Sequence, residues 1–228
     1  MAQDKKFWGL LRRRECLLPT WRGWLVLVIS FGTAFVLLVL RIHPFLAVNQ
    51  PLPGGALIVE GWSTDFVMKE AVAEFNRNHY EKVYVTGGPV IMGAPLSRYK
   101  TYAERGAAIL VRLGVATNLV QAVPSKLAVQ DRTYASAIGL RDWLHENGVI
   151  ATKVHLLSEG PHARRSRLLF EKALGENVAV GITAVPIPDY DDRLWWRSSA
   201  GVRAVIDEGV AYLYARFFFR IPKEEPRN

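Results

Sequence analysis

The chemistry-bearing residues of this chain are densest in the stretch Lys153-Val154-His155-Leu156-Leu157-Ser158-Glu159-Gly160-Pro161-His162-Ala163-Arg164-Arg165-Ser166-Arg167. Residues 159–167 alone hold a carboxylate, an imidazole and three guanidinium groups. Val154, Leu156 and Leu157 read as a buried strand, and Gly160-Pro161 as its break. Pro161 suits the start of a helix, where its missing N–H costs nothing. A helix N-terminus offers free N–H groups and the positive end of the dipole. With Arg164, Arg165 and Arg167 added, this arrangement predicts an anion site. The competing reading is a solvated basic helix face capped by His162.

The elements that must position these groups follow from the surrounding pattern. Apolar runs at 56–59, 82–86, 119–123 and 178–185 read as strands, with the run of Val154, Leu156 and Leu157 ahead of Gly160-Pro161 as a fifth. Between and after them, residues 65–77, 99–113, 131–146 and 198–219 carry helical spacing, as does the stretch from the Pro161 turn to about Leu174, with Asp131 a good N-cap residue. Strands alternating with helices predict a parallel sheet with helices on both faces. Short, fully apolar strands agree, because such a sheet is buried on both sides. The expected fold class is α/β: a Rossmann-like three-layer sandwich of about five parallel strands.

In open parallel sheets the ligand crevice lies beyond the carboxyl ends of the strands. Strand one delivers Glu60, Gly61 and Trp62 there, and strand two delivers Thr86, Gly87 and Gly88. Strand three leads to Arg132 and Thr133, and strand four to Ser158, Glu159, His162, Arg164 and Arg165. Strand five leads to Asp189, Tyr190, Asp191 and Asp192, then to Trp195 and Trp196. The expected roles are Glu60 or Glu159 as base and His162 as acid or phosphate ligand. Arg132, Arg164 and Arg165 would hold a phosphate, with Thr133 and the backbone of Gly87-Gly88 assisting. Blander readings stand beside these: Glu60 as a cap or an arginine's partner, Gly87-Gly88 as a tight turn, the tryptophans as core. His162 has no second histidine at metal spacing, so no metal is expected. No cofactor is identified, because GxGxxG, Walker A and GxSxG patterns are missing.

The 228-residue chain has a formal net charge of +8, yet Lys5, Lys6, Arg12, Arg13, Arg14 and Arg22 all precede residue 23. The basic balance therefore speaks to membrane orientation, and no nucleic-acid partner is expected. Residues 23–40 are 18 positions without a charge, where a spanning helix needs about 20 apolar residues and tolerates roughly 17. Trp21 and Trp24 sit where interfacial aromatics belong. No polar face is present, which argues against a buried core helix. A cleaved signal would have a shorter apolar run and a small-x-small site, and residues 41–50 offer none. The expected order is a basic cytoplasmic tail at 1–22, a transmembrane helix at 23–40, a linker at 41–54 and an extracytoplasmic domain at 55–220. That places a single-pass protein in a bacterial inner (plasma) membrane with its N-terminus in the cytoplasm. Cys16, the one cysteine, would lie on the reducing side, and no internal disulfide is possible.

The order of motifs resembles the SanA/ElyC/YdcF-like family, long described as a domain of unknown function. The anchor is followed by ALIVEG, KVYVTGG, a helix before LGV, the RTYASA helix start and HLLSEGPHARRSRLLFEKALG. The strongest matches are the His-x-x-Arg element, His162 and Arg165, and Gly87-Gly88. Ala135 and Ser136 replace an acidic–amide pair common in the family, and Glu60-Gly61-Trp62 departs from its glycine-rich exit, so this looks like a divergent branch. The resemblance implies a Rossmann-like, inner-membrane-anchored protein of envelope integrity and peptidoglycan assembly. The expectation is binding or processing of an anionic or phosphorylated envelope intermediate, with a lipid-carrier-linked one the obvious candidate. The alternative is a non-enzymatic scaffold regulating an envelope synthase.

Overall fold

The computed structural model describes residues 17–91 and 97–221. Lys5, Lys6, Arg12, Arg13, Arg14 and Cys16 lie outside the described residues, as do Gly93 and Pro95. The chain falls into two compact units that divide between Leu40 and Arg41.

The first unit holds most of α1 (Trp21–Leu46), a helix of 26 residues. Its most apolar window has a mean hydropathy of 2.5, and none of that window is buried. It is long and apolar enough to cross a membrane.

The second unit is an α/β sandwich. Its strands are β1 (Ala56–Glu60), β2 (Lys82–Gly87), β3 (Val120–Pro124), β4 (Lys153–Glu159) and β5 (Ala179–Val185). Its helices are α2 (Asp65–Arg77), α3 (Tyr102–Arg112), α4 (Arg132–Glu146), α5 (Ala163–Leu174) and α6 (Ser199–Leu213). The sheet is parallel throughout, in the order β3-β2-β1-β4-β5. Successive side chains of a strand point to opposite faces, so β1 feeds two cores at once. Ile58 joins Leu156 and Ile182 against Leu140, Leu169 and Phe170 of α4 and α5. Leu57 and Val59 join Val83, Val85 and Leu157 against Val67, Met68 and Leu110 of α2 and α3. All five residues of β1 are buried, which is why that strand reads as an unbroken apolar run up to Glu60.

The strand order reverses between β1 and β4. The chain builds outward from β1 through β2 to β3, then returns to lay β4 on the other side of β1. The two strands diverge into connections on opposite faces, leaving a crevice at their carboxyl ends.

Residues 41–54, expected to form a linker, pack on the domain instead. α1 runs on to Leu46 with Pro44 inside it, and His43 and Leu46 are buried. Gln50 and Ile182 exchange backbone hydrogen bonds of 2.8 and 3.0 Å, an antiparallel bridge onto β5. Asn49 Oδ1 accepts from the Ala184 N–H at 2.8 Å, and the Leu52 N–H donates to His155 Nδ1 at 3.2 Å. Burial holds the His155 imidazole below its ordinary pKa, with Glu74 acting weakly in the other direction. The neutral ring can thus accept at Nδ1 while Nε2 donates to Thr183 Oγ1 at 3.0 Å. Pro51 and Pro53 hold the chain extended, as a strand-edge segment needs.

Gly181 makes this fit possible. A Cβ there would stand 2.4 Å from Leu52 Cβ and 2.8 Å from Leu52 N. Gly181→Ala should therefore push the 50–53 segment off β5 and lower stability by about 1–3 kcal/mol. Urea unfolding of the full chain in detergent measures this, with the far-UV spectrum of the folded protein unchanged.

Candidate functional site

The carboxyl edge of the sheet opens into a cleft of about 700 Å³. The turn after β2 brings Gly88, α3 brings Tyr102 and Arg105, and the start of α4 brings Asp131, Arg132, Thr133 and Ser136. The 160–162 turn and α5 bring His162, Arg165 and Leu169, and α6 with the turn after it brings Glu208, Ala211, Tyr214 and Ala215.

One wall is a charge cluster that runs inward to a buried carboxylate. Glu60, the last residue of β1, is 1% exposed. Its carboxylate accepts from Ser158 Oγ at 2.7 Å and Ser166 Oγ at 3.2 Å, and it faces His162 Nε2 at 3.5 Å. His162 Nδ1 lies 2.8 Å from Glu208 Oε1. Arg165 grips Glu208 in two places, Nε to Oε2 at 2.8 Å and an Nη2 bond to Oε1 at 2.9 Å. Arg165 Nη2 also sits 2.9 Å from His162 Nδ1. With both groups cationic neither donates to the other; both donate to the Glu208 oxygen they share. Trp62 closes the outer side, its ring edge-on to His162 with centroids 5.0 Å apart.

These partners set the protonation states. Burial alone would lower the His162 pKa, but the carboxylates of Glu60 and Glu208 raise it to about 9. Burial alone would raise Glu208, but hydrogen bonds from His162 and Arg165 hold it down to about 2. Burial likewise pushes Glu60 up, and the His162 cation and the Ser158 hydroxyl bring it below its ordinary value. At neutral pH the cluster holds two carboxylates and two cations. His162 has both ring nitrogens directed at carboxylates, so it is a fixed cation and is not poised to take a proton from a ligand.

The predicted site residues divide accordingly. His162, Arg165, Arg132, Thr133 and Gly88 all line the cleft. Glu60 does not, being sealed behind His162, so a base in contact with ligand is the wrong description of it. Glu159 is also turned away: its carboxylate accepts from the Thr64 N–H at 2.6 Å and thereby caps α2, whose N-cap residue makes no side-chain bond of its own. Arg164 leaves the cleft altogether. Its Nε donates to the Phe45 carbonyl and its guanidinium lies 4.0 Å over the Phe45 ring. Gly87 is a packing glycine, since a Cβ there would meet Tyr102 Cβ at 2.8 Å and Ala103 N at 3.0 Å.

Asp131 holds the N-cap position of α4 in the left-handed region, φ 51°, and its side chain makes no capping bond. The first turn of that 15-residue helix therefore meets the cleft without a side-chain cap. Arg105 and Arg132 stand beside it, and among the described residues neither forms an ion pair. No hydroxyl of the cleft is hydrogen-bonded to a carboxylate or imidazole among the described residues, so no activated nucleophile is assembled there. Nor do three His, Cys, Asp or Glu side chains among them surround one metal position.

Glu208 and Arg105 were not anticipated from sequence. Glu208 left a signal: it follows buried Val205 by three positions, placing a carboxylate on the inward face of α6. Arg105 left none, since its helix reads as an ordinary amphipathic one. No protein-family model, curated protein or solved structure matches the chain.

The cluster predicts a stability profile with two edges. His162, raised from 6.5, contributes fully below pH 6.5, and that contribution is lost as pH rises through about 9. Glu208, lowered from 4.5, contributes fully above pH 4.5 and loses its share as pH falls through about 2. Glu208→Gln should cost about 2–3 kcal/mol, since removing one partner strands the buried cations. It should also bring the His162 titration down toward neutrality. Unfolding curves across pH and the imidazole NMR titration test both.

Proposed function

We propose that this is a membrane-anchored protein whose carboxyl-edge cleft binds an anionic, phosphorylated ligand. The observation that carries the reading is the pairing of Arg105 and Arg132, both without ion-pair partners among the described residues, with the uncapped N-terminus of α4 in one concave site. Helix N–H groups and guanidinium forks are complementary to phosphate oxygens. The Glu60–His162–Glu208–Arg165 cluster is internally neutral, so it forms the wall of the site and leaves the other two arginines to attract the ligand. The convergence of charge on one cleft favours this reading over a scaffold that regulates an envelope synthase.

α1 is the anchor in this reading. The lysines and arginines ahead of residue 23 put the N-terminus in the cytoplasm and the α/β domain outside, in a bacterial inner membrane. The His162-x-x-Arg165 and Gly87-Gly88 elements resemble those of the SanA/ElyC/YdcF-like envelope proteins, which supports an envelope intermediate as the ligand. A lipid-carrier phosphate is the first candidate.

The test is native mass spectrometry of the full chain, purified gently from its own membranes. A bound mass matching a polyprenyl phosphate or a nucleotide is expected. Arg105→Ala and Arg132→Ala should each weaken that binding by about tenfold or more, the scale of one charge-assisted hydrogen bond. Arg164→Ala should retain it, because Arg164 faces Phe45. Loss in Arg164→Ala with retention in the other two would refute the site, and an empty wild-type protein would favour the scaffold.

A further inference from the structure

α6 carries a second face that the cleft does not use. Arg203, Ile206, Val210 and Leu213 recur on α6 at steps of three and four, Phe217 follows in the π-helical turn Tyr214–Phe218 that continues the helix and Arg220 just beyond it, and every one of them is exposed. The four apolar members are 54%, 64%, 53% and 71% exposed. Tyr214, Phe218 and Ile221 widen the stripe and are exposed as well. A soluble surface rarely leaves so many large apolar side chains together in water. The stripe is bracketed by a guanidinium at each end, with Arg216 beside it and, among the described residues, Asp207 the one acid on its flank.

The position of this face is fixed by the chain itself. The Phe45 ring meets Tyr212 of α6 edge-on, with centroids 5.5 Å apart. Leu46 is fully buried beside Gly209, its Cδ1 4.0 Å from where a Gly209 Cβ would stand. Phe45 lies five positions after Leu40, the last residue of the uncharged run, and five steps of chain reach at most about 18 Å even fully extended. If residues 23–40 span a bilayer, the middle of α6 stays within the reach of that short tether from its surface.

We propose that the outer face of α6 lies in the headgroup layer of that bilayer, with Leu213, Phe217 and Phe218 at the acyl boundary and Arg203, Arg216 and Arg220 on anionic headgroups. An apolar stripe with aromatic residues and basic flanks is the composition of an interfacial helix. The short tether supplies the high local concentration that a stripe of this length needs. The inference rests on the reading of residues 23–40 as a span.

The experiment uses the full chain with Cys16→Ser, reconstituted in nanodiscs of phosphatidylethanolamine and phosphatidylglycerol. A nitroxide is attached in turn through Val210→Cys, Phe217→Cys and, as an aqueous reference on α2, Lys69→Cys. All three sites are exposed, so the labels need no repacking of the core. The expected result is a several-fold higher ratio of oxygen to nickel-chelate collisions at 210 and 217 than at 69. Equal ratios at all three sites, in protein incorporated in the discs, would overturn the proposal and leave the span intact. Protection from both reagents at 210 and 217 would overturn it in favour of a protein partner, and dipolar broadening between labels would identify that partner as a second copy. A chain that fails to incorporate at all would overturn the span and this inference together.

Discussion

A carboxylate with 1% exposure at the end of β1 is the constraint on which the carboxyl edge depends. Taking a charge that far from water costs several kcal/mol unless partners compensate. Glu60 is compensated by groups from three places, Ser158 on β4, His162 in the turn and Ser166 on α5, and the His162 cation is in turn held by Glu208 on α6. Each link then needs its own partner, and Arg165 ends the chain. The consequence is mechanical. Among its helical residues α6 buries only Gly201 and Val205, too little apolar surface to fix a 15-residue helix by packing alone. The Ser198 cap, the close seat of Gly201 on the Trp195 backbone and the charge cluster hold it. α6 walls the cleft, so the shape of the site follows from how one buried charge is neutralised.

The same bookkeeping sorts the arginines. A basic helix start is usually read as an anion site because the charges are counted before their partners are known. Here Arg165 is spent on Glu208, Arg167 on Glu171 at 2.8 Å, and Arg164 on the Phe45 ring and carbonyl. The cations left for a ligand come from α3 and the start of α4, where the sequence is far less conspicuous. Charge density along the chain and charge available in space are different quantities, and the second is set by which carboxylates fold back onto the first.

Much of the fold was legible because its signals are local. Apolar runs ended by Glu60-Gly61, Gly87-Gly88 and Glu159-Gly160 mark strands buried on both faces, and helical spacing between them forces the parallel topology. That the candidate residues gather at the carboxyl edge follows from topology as well. The direction in which each side chain points was not legible. Three arginines in four positions of α5 differ by about 100° per step, and only the burial of Ser166, Leu169 and Phe170 tells which way the helix is turned. The Glu208 partnership joins residues 43 and 46 positions apart, beyond any local pattern. The packing of the expected linker at 41–54 was not legible for the opposite reason: one antiparallel bridge and a proline-held extended segment have no periodicity to detect.

α6 unites these threads, because its two sides answer to different chemistry. Glu208, Ala211 and Ala215 face the cleft, while Ile206, Val210, Leu213 and Phe217 face outward, and Tyr214 belongs to both as a cleft residue that is still 47% exposed. A helix can serve two environments in this way because a step of three or four residues returns to the same side. The inward side is held by charge, whose strength depends on the protonation of His162 and Glu208. The outward side is apolar, and its energy depends on what covers it.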